Sequence, residues 1–119
     1  MLGAQLSAFY KNIAEKKEMW VIRTGEESCL KWINEDGSEI LPVWSTESRA
    51  KKIIKMISGT KEMKPLCITE KEFYSKWIDE LRNNNIAVGP NWAGDNITGT
   101  SLPVDVVVSG IEAVKKNNE

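Results

Sequence analysis

The sequence predicts an α+β fold: an antiparallel sheet of four to five strands, starting with a three-stranded meander, and about four helices packed on it. Three observations carry this expectation. Asp36-Gly37 stands between two β-prone runs, as a hairpin turn does. Thr69-Glu70-Lys71-Glu72 spells a helix capping box. Apolar residues recur at helical spacing near both ends, at Leu2, Leu6, Phe9, Tyr10 and Ile13 and at Val104, Val107, Val108, Ile111 and Val114.

Each element follows in order. The first apolar stripe makes an amphipathic N-terminal helix. Met19-Trp20-Val21-Ile22 is a short β-prone strand. Gly25-Glu26-Glu27-Ser28 turns the chain into a second strand, Cys29 to Ile33. A type I′ turn at Asp36-Gly37 leads to a third strand, Glu39 to Trp44. Pro42 lacks an N–H for the ladder, so this strand is expected at an edge or to end nearby. Thr46 caps a helix with Ala50, Ile53, Ile54 and Ile57 on its apolar face, and Gly59 ends it. Leu66-Cys67-Ile68 is a short buried strand. The capping box then opens a helix through Phe73, Tyr74, Trp77, Ile78 and Leu81, with Ile68 and Phe73 placed as a hydrophobic staple. Asn83-Asn84-Asn85 stops that helix, and Ile86-Ala87-Val88 is another strand. Val104 to Val108 is β-rich by composition, yet Pro103 suits a first helical turn and Lys115 and Lys116 suit a last one. The tail is therefore read as a helix.

A chain of 119 residues with 41% hydrophobic and 28% charged residues is expected to form one ordered domain. No apolar run of roughly 18 residues is present, so no membrane span is expected. The N-terminus lacks the basic region of a secretory signal, and Cys29 and Cys67 form no CxxC pattern; both point to a reducing cytoplasm. On that reading the sequon Asn96-Ile97-Thr98 is chance. Net charge is −1, which argues against nucleic acid. The charges are nonetheless uneven. Residues 18 to 39 hold six acids against Arg23 and Lys31, whereas residues 49 to 64 hold six bases against Glu62.

Reaction chemistry is sparse. The chain has no histidine, which removes Ser-His and Cys-His pairs and most zinc sites. Asp36, Asp79, Asp95 and Asp105 form no calcium-loop spacing. No glycine-rich phosphate motif is present. Cys29 and Cys67 sit inside apparent strands and read as structural thiols. The expectation is a non-enzymatic protein with no cofactor and no metal.

Five tryptophans are the strongest remaining signal. Trp20, Trp32 and Trp77 lie among apolar residues of strands or a helix and are read as core. Trp44 closes Leu41-Pro42-Val43-Trp44, and Trp92 stands in the turn-rich stretch GPNWAGDN. Two uses compete for this pair: Trp44 packs over its helix start and Trp92 folds back as a lid, or the two rings wall a binding surface. Ser48, Asn91, Asp95 and Asn96 would supply polar groups to such a surface. Arg49, Lys51, Lys52 and Lys55 read first as a solvated face, next as a contact face for an acidic protein, and least as one for nucleic acid, which normally needs a net basic domain.

The motif order is similar to a small bacterial family catalogued as domain-of-unknown-function family 2750. The matching pieces are LPVWSTESRA, TEKEFYSKWIDELRNN and VGPNWAGDNITG, within roughly residues 6 to 115. Most specific are Leu41-Pro42-Val43-Trp44 with Ser48 and Ala50, Phe73 with Trp77 and Leu81, and Asn91-Trp92 with Gly94. The resemblance implies a small cytosolic α+β domain and carries no catalytic residue.

The expected function is a non-catalytic, cytoplasmic protein-binding module, in its concrete form an immunity protein neutralising a cognate toxin. The alternative is a small-ligand-binding or enzymatic domain with a pocket walled by Trp44 and Trp92. Both rings lining one cleft would favour that alternative. A homodimer through helix faces is a third expectation.

Overall fold

The structure, a computed structural model, describes residues 4–26, 28–57, 62–93 and 100–117. Helix α1 (Ala4–Lys16) buries Phe9, Tyr10 and Ile13, the expected face of the first stripe. Lys17 ends it at φ 57° and donates its N–H to the Ile13 carbonyl at 2.8 Å. The chain then enters β1 (Glu18–Arg23).

Strands β2 (Trp32–Ile33) and β3 (Glu39–Val43) form the expected hairpin, with Trp32 opposite Ile40. Its turn is not type I′. Gly37 alone has a positive φ, 89°, and Asn34 pairs with Ser38 around the three residues Glu35, Asp36 and Gly37. The Asp36 carboxylate accepts from the Ser38 N–H at 2.9 Å, which favours this wider loop.

The α+β class and five strands are as expected, but their pairing differs from a single antiparallel sheet with an N-terminal meander. Strand β1 pairs antiparallel along its whole length with β4 (Lys64–Thr69), from Glu18↔Thr69 to Arg23↔Lys64. Against the second strand it keeps only an Arg23↔Cys29 bridge and one hydrogen bond, Leu30 N–H to Ile22. Strand β3 pairs in parallel with β5 (Ile86–Pro90). The physical reason is connectivity. Two helices and β4 intervene between β3 and β5, which is the crossover a parallel pair needs.

Pro42 explains where the strands part. Strand β3 is central in its sheet, not an edge. Its Ile40 faces β2, and Trp44, just past its end, faces β1, where Trp44 and Trp20 exchange two main-chain hydrogen bonds of 2.7 Å. Alternate residues present their N–H to the same edge, so Pro42 lies between these two pairings on that edge. It has no N–H to offer there. The segment Cys29–Lys31 crosses this gap.

Side-chain alternation gives the sheets two buried faces. Met19, Val21, Leu41, Val43, Ile68 and Val88 join one core, while Ile22, Ile40 and Trp44 join another. The larger core is covered by α1, by α3 and by α4 (Val104–Asn117), which confirms the helical reading of the tail. Helix α3 is continuous but has three parts: Glu70–Glu72, a π-helical stretch Phe73–Trp77, and Ile78–Asn83. The capping box forms as expected, with Thr69 Oγ1 accepting from Glu72 N–H and Glu72 accepting from Thr69 N–H, both at 3.1 Å. Glycine at 110 lets α4 meet α1, because a Cβ there would come within 2.2 Å of the Tyr10 ring. Tyr74 donates to Glu112 at 2.7 Å, and Lys115–Glu70 and Arg82–Asp105 pairs add to the α3–α4 seam.

The smaller core is covered by α2 (Glu47–Ile57), which buries Ala50 and Ile53. Thr46 caps it, accepting from the Arg49 N–H at 3.3 Å. The expected stop at Gly59 and the residue Leu2 lie outside the described residues.

Candidate functional site

The two unusual tryptophans meet on the α2 side of the sheet. Asn91 follows β5 in a left-handed conformation, φ 50°, which Asn tolerates better than most residues. That bend turns Trp92 back across Gly89, where a Cβ would come within 2.5 Å of the indole. The Trp44 indole N–H donates to the Trp92 carbonyl at 2.8 Å, and the Trp92 indole N–H donates to the Thr100 carbonyl at 2.8 Å. Both rings are buried. Their polar atoms are spent inside the protein, so these two residues build a frame.

Asn91 pins that frame from below. It is fully buried, its Oδ1 accepts the Ser45 N–H at 2.8 Å, and its Nδ2 donates to Ser45 Oγ at 3.0 Å. Asn12 on α1 donates to the same hydroxyl at 3.1 Å, and the Asn91 N–H reaches the Val43 carbonyl at 2.8 Å. A buried polar group left unpaired is costly, and this knot ties β3, β5 and α1 together.

Above the frame is an apolar cleft of about 250 Å³. Leu30, Trp32, Pro42, Trp44, Ile53, Ile57, Met63 and Trp92 line it, with Lys31 as the one charged member among the described residues. The gap beside Pro42 and the crossing segment create the opening. Trp32 meets Trp92 edge-on at 6.4 Å and is 42% exposed, and Ile33 beside it is 65% exposed. Both belong to β2, an outer strand of its sheet.

The expected site residues are therefore divided. Trp44 and Trp92 line one cleft. Asn91 lies beneath it and does not reach the surface. Ser48 is exposed on the first turn of α2, within 3.3 Å of Thr46 Oγ1, and does not line the cleft. Asp95 and Asn96 lie outside the described residues. Trp32, read from the sequence as core, is instead the exposed ring of the site. The signal for it was present: Trp32 and Ile33 are adjacent and apolar, and successive strand residues face opposite sides.

The basic residues of α2 are also divided. Ile53 and Ile57 face the cleft; on a helix of about 3.6 residues per turn, Arg49 and Met56 sit next to Ile53 and Lys52 follows. Lys51 and Lys55 point away, and Lys51 pairs with Glu47 at 3.6 Å.

On the opposite face of the sheet is a second cleft, of about 840 Å³. Leu41, Leu66, Leu81, Ile86 and Trp77 give it apolar walls, and Cys29 opens into it. Burial raises the Cys29 thiol pKa; Arg23 and Lys31 oppose that shift and Glu80 adds to it. Cys67 is raised further, to about 11, by burial and by its hydrogen bond to Glu18. Neither thiol is activated as a nucleophile. Among the described residues, no group of three or more His, Cys, Asp or Glu is placed to hold a metal, and no helix is long and apolar enough to cross a membrane.

Fold and site together define an α+β domain with an apolar, tryptophan-framed cleft at a sheet edge. Residues 6–108 match the model of the family described as Protein of unknown function (DUF2750), and the chain belongs to that family. No curated protein matches it.

Proposed function

We propose that the protein is a non-catalytic binding module that takes one bulky apolar side chain of a partner protein into the Trp32 cleft. The observation that carries this reading is the cleft's chemistry. Its volume is below the roughly 300–1,000 Å³ of small-molecule sites, and among the described residues its lining is apolar apart from Lys31. An exposed tryptophan at its mouth is the kind of anchor that dominates protein interfaces. Arg49 and Lys52 along the flank of α2 favour acidic residues around the inserted side chain.

A display library of random peptides tests this directly. Selection should converge on a large apolar residue flanked by Asp or Glu, and Trp32→Ala should lose those peptides while remaining folded. No convergence, or equal capture by Trp32→Ala, would sink the reading. In its concrete form the partner is a toxin encoded in the same locus, neutralised by this protein in the cytoplasm. The small size, absence of a catalytic set in the sequence and uneven charge support that form. Pull-down with the product of the adjacent gene tests it, and no interaction there removes it.

A second reading is favoured by one observation: Trp44 and Trp92 do line the same cleft. On that reading a small apolar molecule fills it. Binding of such a molecule with no peptide selected would establish the second reading over the first.

A further inference from the structure

The larger cleft, across the sheet from the Trp32 site, has a different chemistry. Its walls are apolar, but its rim carries both signs of charge: Arg23, Lys31 and Lys76 against Glu26, Glu39 and Glu80. Lys31 and Glu39 neutralise each other at 3.2 Å. The others do not. Arg23 is held by main-chain carbonyls, its Nε on Gly25 at 2.7 Å and its Nη2 on Glu26 at 3.1 Å. Its charge is thus oriented, and no carboxylate pairs with it among the described residues. Lys76 and Glu80 stand one helical turn apart on α3 and also have no ion-pair partner among the described residues.

The α3 wall is itself unusual. Lys76 and Trp77 close the π-helical stretch, in which the Ile78 N–H reaches back to the Phe73 carbonyl. A π turn shifts the following residues around the helix, and such turns recur at functional sites. Here it is the segment that supplies Lys76 and Trp77 to the cleft. The Trp77 indole N–H has no acceptor among the described residues, in contrast to those of Trp44 and Trp92. Flat aromatic surface, an oriented cation, and a donor and a carboxylate without partners among the described residues therefore open into one cavity of ligand size.

We infer that this cleft binds an apolar zwitterion, in the size range from a free amino acid to a tripeptide. Its ammonium group meets Glu80, its carboxylate meets Arg23 or Lys76, and its apolar body lies on Trp77 and the leucine floor. The two clefts share Lys31 at their borders but open on opposite sides of β3: Glu39 and Leu41 face one side, Ile40 and Pro42 the other. A partner protein and a small zwitterion could occupy the protein together.

Cys29 provides the readout, because it opens into this cleft. In a Cys67→Ser protein with one remaining thiol, its alkylation by N-ethylmaleimide is followed by mass spectrometry. The probe is the dipeptide phenylalanyl-leucine, beside its N-acetylated and C-amidated forms. At about 10 mM the free dipeptide should slow labelling by about tenfold, and each capped form should protect far less. Glu80→Gln, an exposed substitution that leaves the core untouched, should lose the distinction between free and N-acetylated dipeptide. Unchanged labelling, equal protection by the capped forms, or full retention of that distinction in Glu80→Gln would each overturn the inference.

Discussion

Asn91→Ala should destabilise the protein more than almost any other substitution of a single polar side chain. Two costs add. The Ser45 N–H, buried and held at 2.8 Å by the Asn91 carbonyl oxygen, loses its acceptor; an orphaned buried donor costs about 1–3 kcal/mol. Residue 91 also sits at φ 50°, where alanine is disfavoured by about 1 kcal/mol. The expected loss is about 2–4 kcal/mol, which for a domain of this size lowers the melting temperature by roughly 8–16 °C. Urea unfolding followed by tryptophan fluorescence measures it. Asn91→Gly separates the costs, since glycine removes the backbone penalty and leaves the orphaned donor. It should therefore be milder than Asn91→Ala by about 1 kcal/mol. A loss below about 0.5 kcal/mol for Asn91→Ala would refute the buried knot as a determinant of the frame.

Other consequences follow from the same geometry. Gly89→Ala places a methyl group within 2.5 Å of the Trp92 ring, so the ring must shift; a cost of about 1–3 kcal/mol is expected, with a changed near-ultraviolet circular dichroism signal. An unaltered spectrum would mean that Trp92 does not pack on Gly89. Trp32→Ala, by contrast, removes a half-exposed ring and should cost less stability than Trp44→Ala, whose ring is buried and hydrogen-bonded; equal losses in denaturant would contradict the division between frame and surface. Acid should weaken the protein in a defined direction. The hydrogen bonds from Thr69 hold Glu72 below its ordinary pKa, and the Arg82 hydrogen bond does the same for Asp105. A carboxyl depressed in the folded state stabilises above its unfolded pKa, and that contribution is lost as pH falls through the folded value. Stability should thus decline below about pH 4.5, the ordinary value for Glu72, and Glu72→Gln should flatten part of that decline. An unchanged pH profile in that variant would show that the capping box is not the source.

The sequence made local features legible. The capping box needs only four consecutive residues, and the helical stripes of α1 and α4 need only their own spacing. Strand partners were a different matter. Strand β1 could pair with the run after Gly25 or with a run some forty residues on, and nothing in its own residues distinguishes the two. Pairing over six residues with β4 prevailed over a two-residue β2. Pro42 was informative about a gap in the ladder but not about its form, which is an interrupted edge in a central strand. The Trp44–Trp92 pairing was legible as a question because both residues stood at element ends. Trp32 was legible only in part: its apolar neighbour Ile33 signals that one of the two faces away from the core, but the exposure of Trp32 follows from its strand lying at an edge. The turn at Asp36-Gly37 shows the same limit: the hairpin was evident, but the Asp36–Ser38 hydrogen bonds selected a wider loop.

The division of labour among the tryptophans is the central claim, and the five indole N–H resonances report on it directly. The Trp44 and Trp92 protons, bonded to the Trp92 and Thr100 carbonyls, should exchange slowly with deuterium, and the Trp32 proton should exchange at once. Addition of a display-selected peptide should then move the Trp32 resonance most. Fast exchange at Trp44 and Trp92, or a bound peptide that leaves Trp32 in place, would contradict the account.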